Sequence, residues 1–380
     1  MGLIRVLAHL AVNSTRVLIV EAPGHWLTRV ELEQQMALRG WRAAWTPANA
    51  DVLAVCGVPG PELAELAERL WEQMPGPRAR ADVLSPIAVG DALDAAATLL
   101  LDIPHQRMDA QARVREPQIP DDHGQMDDGG HEGMDHGDHG GHEGMDHGDH
   151  GGMDMAPAGI ALAEGGQDRD GLEMDVLHLP LGPVLPFWPA GLVLLCSLQG
   201  DVVVDAVASV VDGAGQAANS KEPQTPPVPA SAVRCDGVMA LLALAGADDA
   251  AARARRARDA LVRGDQGAAR DALERLHRTV RRSWLLRWSL RGVLVLDQFD
   301  LARHDLPEVC RGDAHDRLSS LVERLRSEVC GAAPVPEETG AVPWETMSHL
   351  VTGLELATVR LAVASLNLEP VSTVQGVENA

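Results

Sequence analysis

Residues 16–21 read Arg-Val-Leu-Ile-Val-Glu, a short apolar run that stops just before Pro23-Gly24. A run of this length next to turn residues is typical of a buried β-strand. Apolar residues at helical spacing follow over Thr28–Arg39, and a second apolar run occupies Asp51–Cys56. Strands that alternate with helices favour a parallel sheet with helices packed on it. This stretch therefore predicts an α/β unit at the start of the chain.

The alternation continues to about residue 100. A helix is predicted from Pro61, because proline suits the first turn of a helix and leucines recur at helical spacing after it. Pro75-Gly76-Pro77 ends this helix, Asp82–Ile87 is predicted as a third strand, and Val89–Leu100 as a further helix.

A second folded part is predicted beyond residue 157. Gly171–Pro180 and Leu192–Val210 have the pattern of a small antiparallel sheet. Two long helices, joined as an antiparallel hairpin at Gly264-Asp265, are expected next. The predicted elements after the sheet are helices Asp236–Arg263 and Gln266–Arg282, a strand Trp288–Leu296, and helices Ala314–Val329 and Trp344–Leu366.

Composition divides the chain into four segments. We predict an α/β domain over 1–105, a disordered His/Met/Asp/Gly-rich linker over 106–157, an α+β domain over 158–370 and a frayed tail over 371–380. The linker is assigned because its apolar content is almost only methionine, which cannot build a core.

The overall composition excludes several functions. The chain has 380 residues and a formal net charge of −23, which argues against a nucleic-acid binder. It has no run of about 18 apolar residues, so no membrane-spanning helix is expected. Its five cysteines are widely spaced and form no CxxC pair, which is typical of buried thiols in a reducing cytoplasm. The chain has no tyrosine, and its one lysine, Lys221, lies in a proline-rich loop.

Residues 121–155, the acidic tract, hold the densest set of metal-ligand side chains. Eleven acidic residues, seven histidines and five methionines occur there without a basic residue, and His131–Gly141 is repeated as His142–Gly152. Imidazole suits Zn²⁺, Ni²⁺ and Cu²⁺, and thioether suits Cu(I). The tract is therefore either a metal buffer or delivery segment, or an expanded acidic spacer. The candidate metal ligands are His123, His131, Met134, His136, His139, His142, Met145, His147 and His150.

Other polar features leave alternatives open. Arg253–Arg291 holds twelve arginines against four acidic residues, and is either a basic face for an acidic partner, an anionic lipid or the acidic tract, or ordinary solvated helix surface. His25 is either a relic ligand or loop surface. His178, between two leucines of a strand, is expected to face away from the core. Gly57-Val-Pro-Gly60 offers a short anion-binding loop of low specificity.

Two stretches carry a family resemblance. Ala48–Pro77 reads Ala-Asn-Ala-Asp-Val-Leu-Ala-Val-Cys-Gly-Val-Pro-Gly, then a helix, then Trp-Glu-Gln-Met-Pro-Gly-Pro. It resembles the cluster-bearing, twenty-kilodalton-type subunit of respiratory complex I, which we call the cluster subunit. Leu181–Val204, with Leu-Gly-Pro-Val-Leu-Pro-Phe-Trp-Pro and later Leu-Gln-Gly-Asp-Val-Val, resembles the start of the forty-nine-kilodalton-type subunit, which we call the quinone subunit. Trp288–Leu296 and Gly353–Leu361 are similar to later pieces of the quinone subunit. These two families share their folds with the small and large subunits of hydrogenase.

The departures from these families bear on function. Where the cluster subunit has adjacent cysteines after the first strand, this chain has Glu21-Ala-Pro-Gly-His25, and Leu84-Ser-Pro86 lacks the later cysteine. Leu185 and Pro189 stand in the neighbourhood of the quinone subunit's quinone-facing histidine, and the family's quinone-binding tyrosine has no counterpart. An iron–sulfur cluster requires about four convergent thiolates, and Cys56 is the single cysteine of the first domain.

The resemblance implies a hydrogenase small-subunit-like α/β domain with a parallel sheet. An α+β domain with a small antiparallel sheet and a helical bundle, truncated and hydrogenase large-subunit-like, would follow. The function it implies is a non-catalytic accessory or assembly protein related to NADH:quinone oxidoreductase, without an iron–sulfur cluster. Its partners would be complex I subunits and not nucleic acid. The position would be cytoplasmic, or peripheral at the cytoplasmic face of the inner membrane through a partner.

Two other functions are set beside this one. The alternative is Cu, Ni or Zn buffering or delivery by the acidic tract. An active quinone or hydrogen oxidoreductase is the least favoured hypothesis, because the cysteine, histidine and tyrosine ligands are missing.

Overall fold

The computed structural model describes residues 14–113, 164–167, 173–212, 228–331 and 342–368. The acidic tract, with its nine candidate metal ligands, lies outside the described residues.

The first domain is built on a parallel sheet, as predicted. Its four strands lie in the order β2-β1-β3-β4, and every pairing between them is parallel. Its elements are, in chain order, β1 Arg16–Glu21, α1 Trp26–Arg39, β2 Arg42–Ala43, β3 Val52–Cys56, α2 Pro61–Gln73, β4 Ala79–Val83, α3 Val89–Leu101 and α4 Ile103–Ala112.

Strand β3 lies at the centre of this sheet and is buried along its whole length. Successive side chains point to opposite faces of a strand. Val52, Ala54 and Cys56 accordingly pack with apolar residues of α1 and α3, whereas Leu53 and Val55 pack with apolar residues of α2. The continuous apolar run is therefore explained by helices on both faces of the sheet.

The third long strand was predicted too late in the chain. The prediction Asp82–Ile87 is wrong at both ends, because the strand is β4 Ala79–Val83. Ala79 and Ala81 are buried and alternate with polar residues that are not. Because alanine side chains are short, they give a weak apolar signal in the sequence. Ile87, which the prediction placed in the strand, is 94% exposed.

Helix α4 extends the first domain beyond its predicted end at residue 105. Two of its residues hold it against the sheet. Gln106 accepts a hydrogen bond from the backbone N–H of Arg78 at 3.0 Å, and Asp109 pairs with the Arg78 guanidinium at 3.0 Å. Arg78 also lies over the ring of Trp71, with its guanidinium carbon 4.1 Å from the ring centroid.

The second domain combines an antiparallel sheet with a layer of helices, as predicted. The sheet has the strand order β5-β6-β7-β8, with all three pairings antiparallel. Its elements are β5 Glu164–Gln167, β6 Glu173–Leu181, β7 Leu192–Gln199, β8 Val202–Val210, α5 Ala230–Leu244, α6 Asp248–Val262, α7 Gln266–Arg282, α8 Trp284–Leu290, α9 Gln298–Arg303, α10 Ala314–Val329, α11 Met347–Val351 and α12 Leu356–Ser365.

Two predicted helices of this domain are interrupted by glycine. The prediction of one helix over Asp236–Arg263 is wrong, because Gly246, at φ 71°, turns the chain and separates α5 from α6. The prediction Trp344–Leu366 is wrong in the same way, because Gly353, at φ 87°, separates α11 from α12. Both glycines adopt the left-handed conformation that ends helices and that other residues rarely adopt.

The predicted strand Trp288–Leu296 is wrong. Its first part belongs to helix α8, which Ser283 caps by accepting a hydrogen bond on Oγ from the backbone N–H of Leu286 at 3.2 Å. Only Leu296 of this stretch makes a strand-like contact, a single bridge with Gly312. Helix α10 has the predicted bounds Ala314–Val329. In the described segments, none of the helices has the length and apolar character that crossing a membrane requires.

Candidate functional site: the cavity between the two domains

A cavity of about 760 Å³ lies between the two domains. Strand β1, helix α1 and residues 41–45 form one side, and residues 183–190 together with α5 form the other. Cavities of this size accept ligands or side chains of drug-like bulk. The aromatic side chains of its lining are Trp26, Trp41, Trp45, Phe187 and Trp188.

Residues 183–190 form a loop whose entry depends on a glycine. Gly182 has φ 95°, and a Cβ at this position would lie 2.2 Å from the carbonyl oxygen of Leu192. Trp188 donates a hydrogen bond from Nε1 to that same carbonyl oxygen at 2.7 Å. The loop is therefore closed on the start of β7, and Phe187 and Trp188 are held in the cavity wall.

The charged wall of the cavity joins the domains through α1. Arg29 donates from Nη1 to Glu33 at 2.7 Å and from Nη2 to Asp236 of the second domain at 2.5 Å. Its Nε donates to Glu21 at the end of β1. Trp26 donates from Nε1 to Asp236 at 2.9 Å. One carboxylate of the second domain thus receives two side chains of the first.

Arg258, on α6, makes the reciprocal contacts from the second domain. Its side chain is fully buried, and Nη1 donates to Glu33 of α1 at 2.8 Å and to Asp236 at 2.6 Å. Its Nη2 lies 2.8 Å from Asp259. Arg255 lies at the edge of the group, with Nη2 3.4 Å from Glu33. We call five of these residues the interdomain ion network: Glu21, Arg29, Glu33, Asp236 and Arg258.

The carboxylates of this network differ in pKa. Burial acts to raise the pKa of Asp236, but the Arg29 and Arg258 guanidiniums outweigh burial and hold that pKa well below its usual range. The pKa of Glu33 is lowered in the same way. Burial dominates at Glu21 and raises its pKa, because Arg29 offsets burial only in part. Asp236 and Glu33 are therefore the anions that hold the two arginines.

The described lining of the cavity offers binding surface but no hydroxyl, thiol or amine nucleophile. Among the described residues that line it there is no Cys, Ser, Thr, His or Lys. Of the three arginines that line it, Arg29 and Arg255 pair with carboxylates of the chain itself, and the third is Arg42. Nucleophilic catalysis most often uses a side chain such as Ser, Cys or Lys with an activating partner. The lining is therefore suited to holding an apolar or aromatic group rather than to attacking one.

A second contact between the domains lies at the start of α2. Asp212, which follows β8, accepts hydrogen bonds from the backbone N–H groups of Glu62 at 3.0 Å and Leu63 at 3.2 Å. Glu62 in turn accepts from the backbone N–H of Asp212 at 3.4 Å. A Cβ at Gly60 would lie 2.3 Å from the Asp212 carboxyl carbon. The loop predicted to hold an anion thus lies against a carboxylate of the chain's own second domain.

The two histidines and Cys56 that the sequence analysis singled out do not line the cavity. His25 is half-buried, and its ring lies over Gly57, where a Cβ would be 2.1 Å from Cδ2 of the imidazole. His178 has its Nδ1 3.0 Å from Oγ of Ser197, while its neighbouring leucines pack on the core, as expected. Cys56 is fully buried, and burial raises the pKa of its thiol.

The cysteines are free thiols, and all but Cys330 are buried. Burial raises the pKa of Cys235 to about 12 and that of Cys310 to about 11. Within the described ranges, the one cluster with metal-ligand spacing is Asp313, His315 and Asp316. Asp313 and Asp316 cap α10 by accepting backbone N–H groups, so this cluster is explained by helix capping.

Sequence reasoning missed the cavity and the interdomain ion network. Arg29, Glu33 and Arg258 lie in helices with ordinary charged residues, and their partners are about 200 residues away along the chain. One signal was present in a chain with few aromatic residues. Trp26 lies shortly after the first predicted strand, and Phe187-Trp188 lies between the predicted strands Gly171–Pro180 and Leu192–Val210. The chain was compared with models of protein families, with curated proteins and with solved structures, and none of the three comparisons found a match.

Proposed function

We propose that this chain is a non-catalytic accessory or assembly protein related to the cluster subunit and the quinone subunit of NADH:quinone oxidoreductase. In this proposal the chain keeps two domains in contact and binds subunits of the respiratory enzyme. The observation that carries the proposal is the cavity between the domains, whose described lining has aromatic bulk and no hydroxyl, thiol or amine nucleophile.

The interdomain contacts support a role that depends on both domains together. The two arginines of the interdomain ion network each reach carboxylates from both domains. Asp212 adds a second, separate connection at α2. Breaking a buried ion pair costs about 3–5 kcal/mol, so these contacts hold the domains in a defined arrangement.

The cysteines also support a role without redox chemistry by the chain. Metal–thiolate bonds require the deprotonated thiol, and four of the five thiols are buried with a raised pKa. Cys56, Cys235 and Cys310 are packed among apolar residues of separate parts of the two cores. We therefore propose that these cysteines serve as apolar core residues and not as cluster ligands.

The test is capture of the tagged full-length chain from gently solubilised native membranes, with quantification of the associated proteins. We expect subunits of NADH:quinone oxidoreductase to be enriched over an untagged control. Arg29→Glu, which reverses a half-buried charge that pairs across the domains, is expected to lose them. Arg39→Glu is the matched control, because Arg39 lies on the same helix, is half-buried like Arg29, and pairs with the exposed Asp94 within the first domain. Equal recovery of these subunits with and without the tag would contradict the proposal.

The acidic tract supports a second candidate function, metal buffering or delivery. The specific observation is the repeat of His-Glu-Gly-Met-Asp-His-Gly-Asp-His at 131–139 and 142–150. Glycine imposes little geometry, so imidazoles and thioethers can gather around Cu, Ni or Zn at the cost of ordering the segment. This candidate is separable from the first, because deletion of 121–155 removes the ligands and leaves both folded domains.

A further inference from the structure

Helix α8 presents two tryptophans to solvent. Trp284 is 77% exposed and Trp288 is 73% exposed, and they lie one helical turn apart on the same face. Leu286 and Leu290, on the opposite face, are buried in the core of the second domain. The core contacts of these two leucines therefore fix the orientation of α8, with the two tryptophans on the side that faces solvent. Leu285 adds a third exposed apolar side chain, at 57%.

The same segment is strongly basic. Residues 275–296 contain six arginines and no acidic residue, in a chain with a net charge of −23. Arg282, Arg287 and Arg291 are exposed, and among the described residues their guanidiniums have no hydrogen-bond or ion-pair partner. We call Trp284, Leu285, Trp288 and these three arginines the Trp–Arg surface.

We propose that the Trp–Arg surface binds directly to the headgroup region of an anionic lipid bilayer. Tryptophan is the side chain that most favours the boundary between headgroups and acyl chains, because its ring is apolar and its N–H is polar. Arginine binds lipid phosphates with its planar donors, and basic residues near an anionic leaflet each add to the attraction. The Trp–Arg surface supplies both chemistries side by side.

Charge complementarity points to an anionic partner, and the apolar side chains of the surface favour a bilayer over the chain's own acidic tract. The tract offers carboxylates to the arginines and five scattered methionines to the rings, whereas a bilayer offers a continuous apolar phase that takes up two indole rings and a leucine together. The net negative charge elsewhere does not prevent binding, since charges separated by more than about 10 Å of physiological buffer are largely screened. This site is independent of the proposed function, in which membrane contact is made through a partner.

The experiment is flotation of the purified full-length chain with vesicles of neutral phosphatidylcholine, or of the same lipid with phosphatidylglycerol added. We expect co-flotation with the anionic vesicles, weakened by added salt, and a blue shift of tryptophan fluorescence. The double variant Trp284→Ala/Trp288→Ala is expected to lose about tenfold or more in partition coefficient. The triple variant Arg282→Gln/Arg287→Gln/Arg291→Gln is expected to lose roughly 100-fold.

Matched controls separate this surface from general charge and hydrophobicity. Arg69→Gln/Arg107→Gln/Arg256→Gln changes the net charge by the same amount at three exposed arginines elsewhere. Leu38→Ala/Ile87→Ala removes two exposed apolar side chains of the first domain. Both controls are expected to bind as the wild type does.

Three results would overturn the proposal. The first is absence of wild-type binding to anionic vesicles. The second is equal loss of binding in the surface variants and the control variants. The third is binding of an acidic protein partner by this surface with no lipid binding.

Discussion

Replacement of Arg258 by methionine tests whether the interdomain ion network holds the two domains together. The Arg258 side chain is 0% exposed, and its guanidinium contacts Glu33 at 2.8 Å, Asp236 at 2.6 Å and Asp259 at 2.8 Å. Methionine fills similar volume without a charge, so the main effect is loss of the cation from among three carboxylates.

The expected loss follows from the remaining contacts. Removing one partner of a buried ion pair costs about 3–5 kcal/mol. Arg29 still reaches both Glu33 and Asp236, so we expect the lower end of that range, about 3 kcal/mol. In domains of this size the corresponding fall in melting temperature is roughly 6–12 °C. Urea unfolding and calorimetry at pH 7 measure both quantities.

Arg255→Met is the matched control for Arg258→Met. Arg255 lies on the same helix and approaches the same Glu33, but at 3.4 Å and with 40% of its side chain exposed. Exposed ion pairs contribute about 0–1 kcal/mol, so this variant should be nearly as stable as the wild type. Equal destabilisation by the two substitutions, or none by either, would refute the buried network as the source of stability.

The pH dependence of this difference has a definite sign. The pKa values of Asp236 and Glu33 are lowered in the folded state, so their stabilisation is present above their unfolded pKa values of about 4 and is lost as the pH falls further. Without Arg258 these folded pKa values rise towards normal, and less stability depends on ionisation. The gap between wild type and Arg258→Met should be largest near neutral pH and narrow below about pH 4. A gap that widens in acid would contradict this assignment.

Three further predictions concern other parts of the chain. Asp212→Ala should lower the free energy of unfolding by about 1 kcal/mol, because α2 loses its cap, whereas Asp212→Asn should retain most of the stability in the same urea titration; equal loss in both would contradict the capping role. In the native protein one thiol of five, Cys330, should react rapidly with a water-soluble thiol reagent, and mass spectrometry of modified peptides would show rapid modification of Cys235 or Cys310 if the burial is wrong. Zn²⁺ or Ni²⁺ titrated calorimetrically into the full-length chain at pH 7.5 should bind, and release near pH 5 as histidines protonate; retention at pH 5, or unchanged binding after deletion of 121–155, would contradict binding by the tract.

The elements that the sequence predicts best are those whose pattern is local and strong. Arg16–Glu21 is an uninterrupted apolar run, and Ala314–Val329 begins after a capping aspartate and ends near Gly331, so both have their predicted bounds. The predicted strand Trp288–Leu296 is wrong because its large apolar residues suit a β-strand as well as a helix. The cap at Ser283 and the core contacts of Leu286 and Leu290 favour the helix.

Local sequence patterns could not predict the cavity or the interdomain ion network. Glu33 and Asp236 look like solvated helix residues in the sequence, and only the fold brings them to the same two arginines. Gly60 belongs to the loop that the sequence predicts to bind an anion. The carboxylate that lies against this loop is that of Asp212, which follows a strand of the second domain. The exposed tryptophans of α8 could not be distinguished from core residues before the helix orientation was known.

The most direct test of the proposed accessory role is the native distribution of the untagged chain. Membranes solubilised in mild detergent are separated on a native gel, and each slice is quantified by mass spectrometry. The account predicts that this chain comigrates with NADH:quinone oxidoreductase, or with assembly intermediates that contain its cluster subunit or quinone subunit. A chain that migrates only at its own size, in cells where the respiratory enzyme is assembled, would contradict the account.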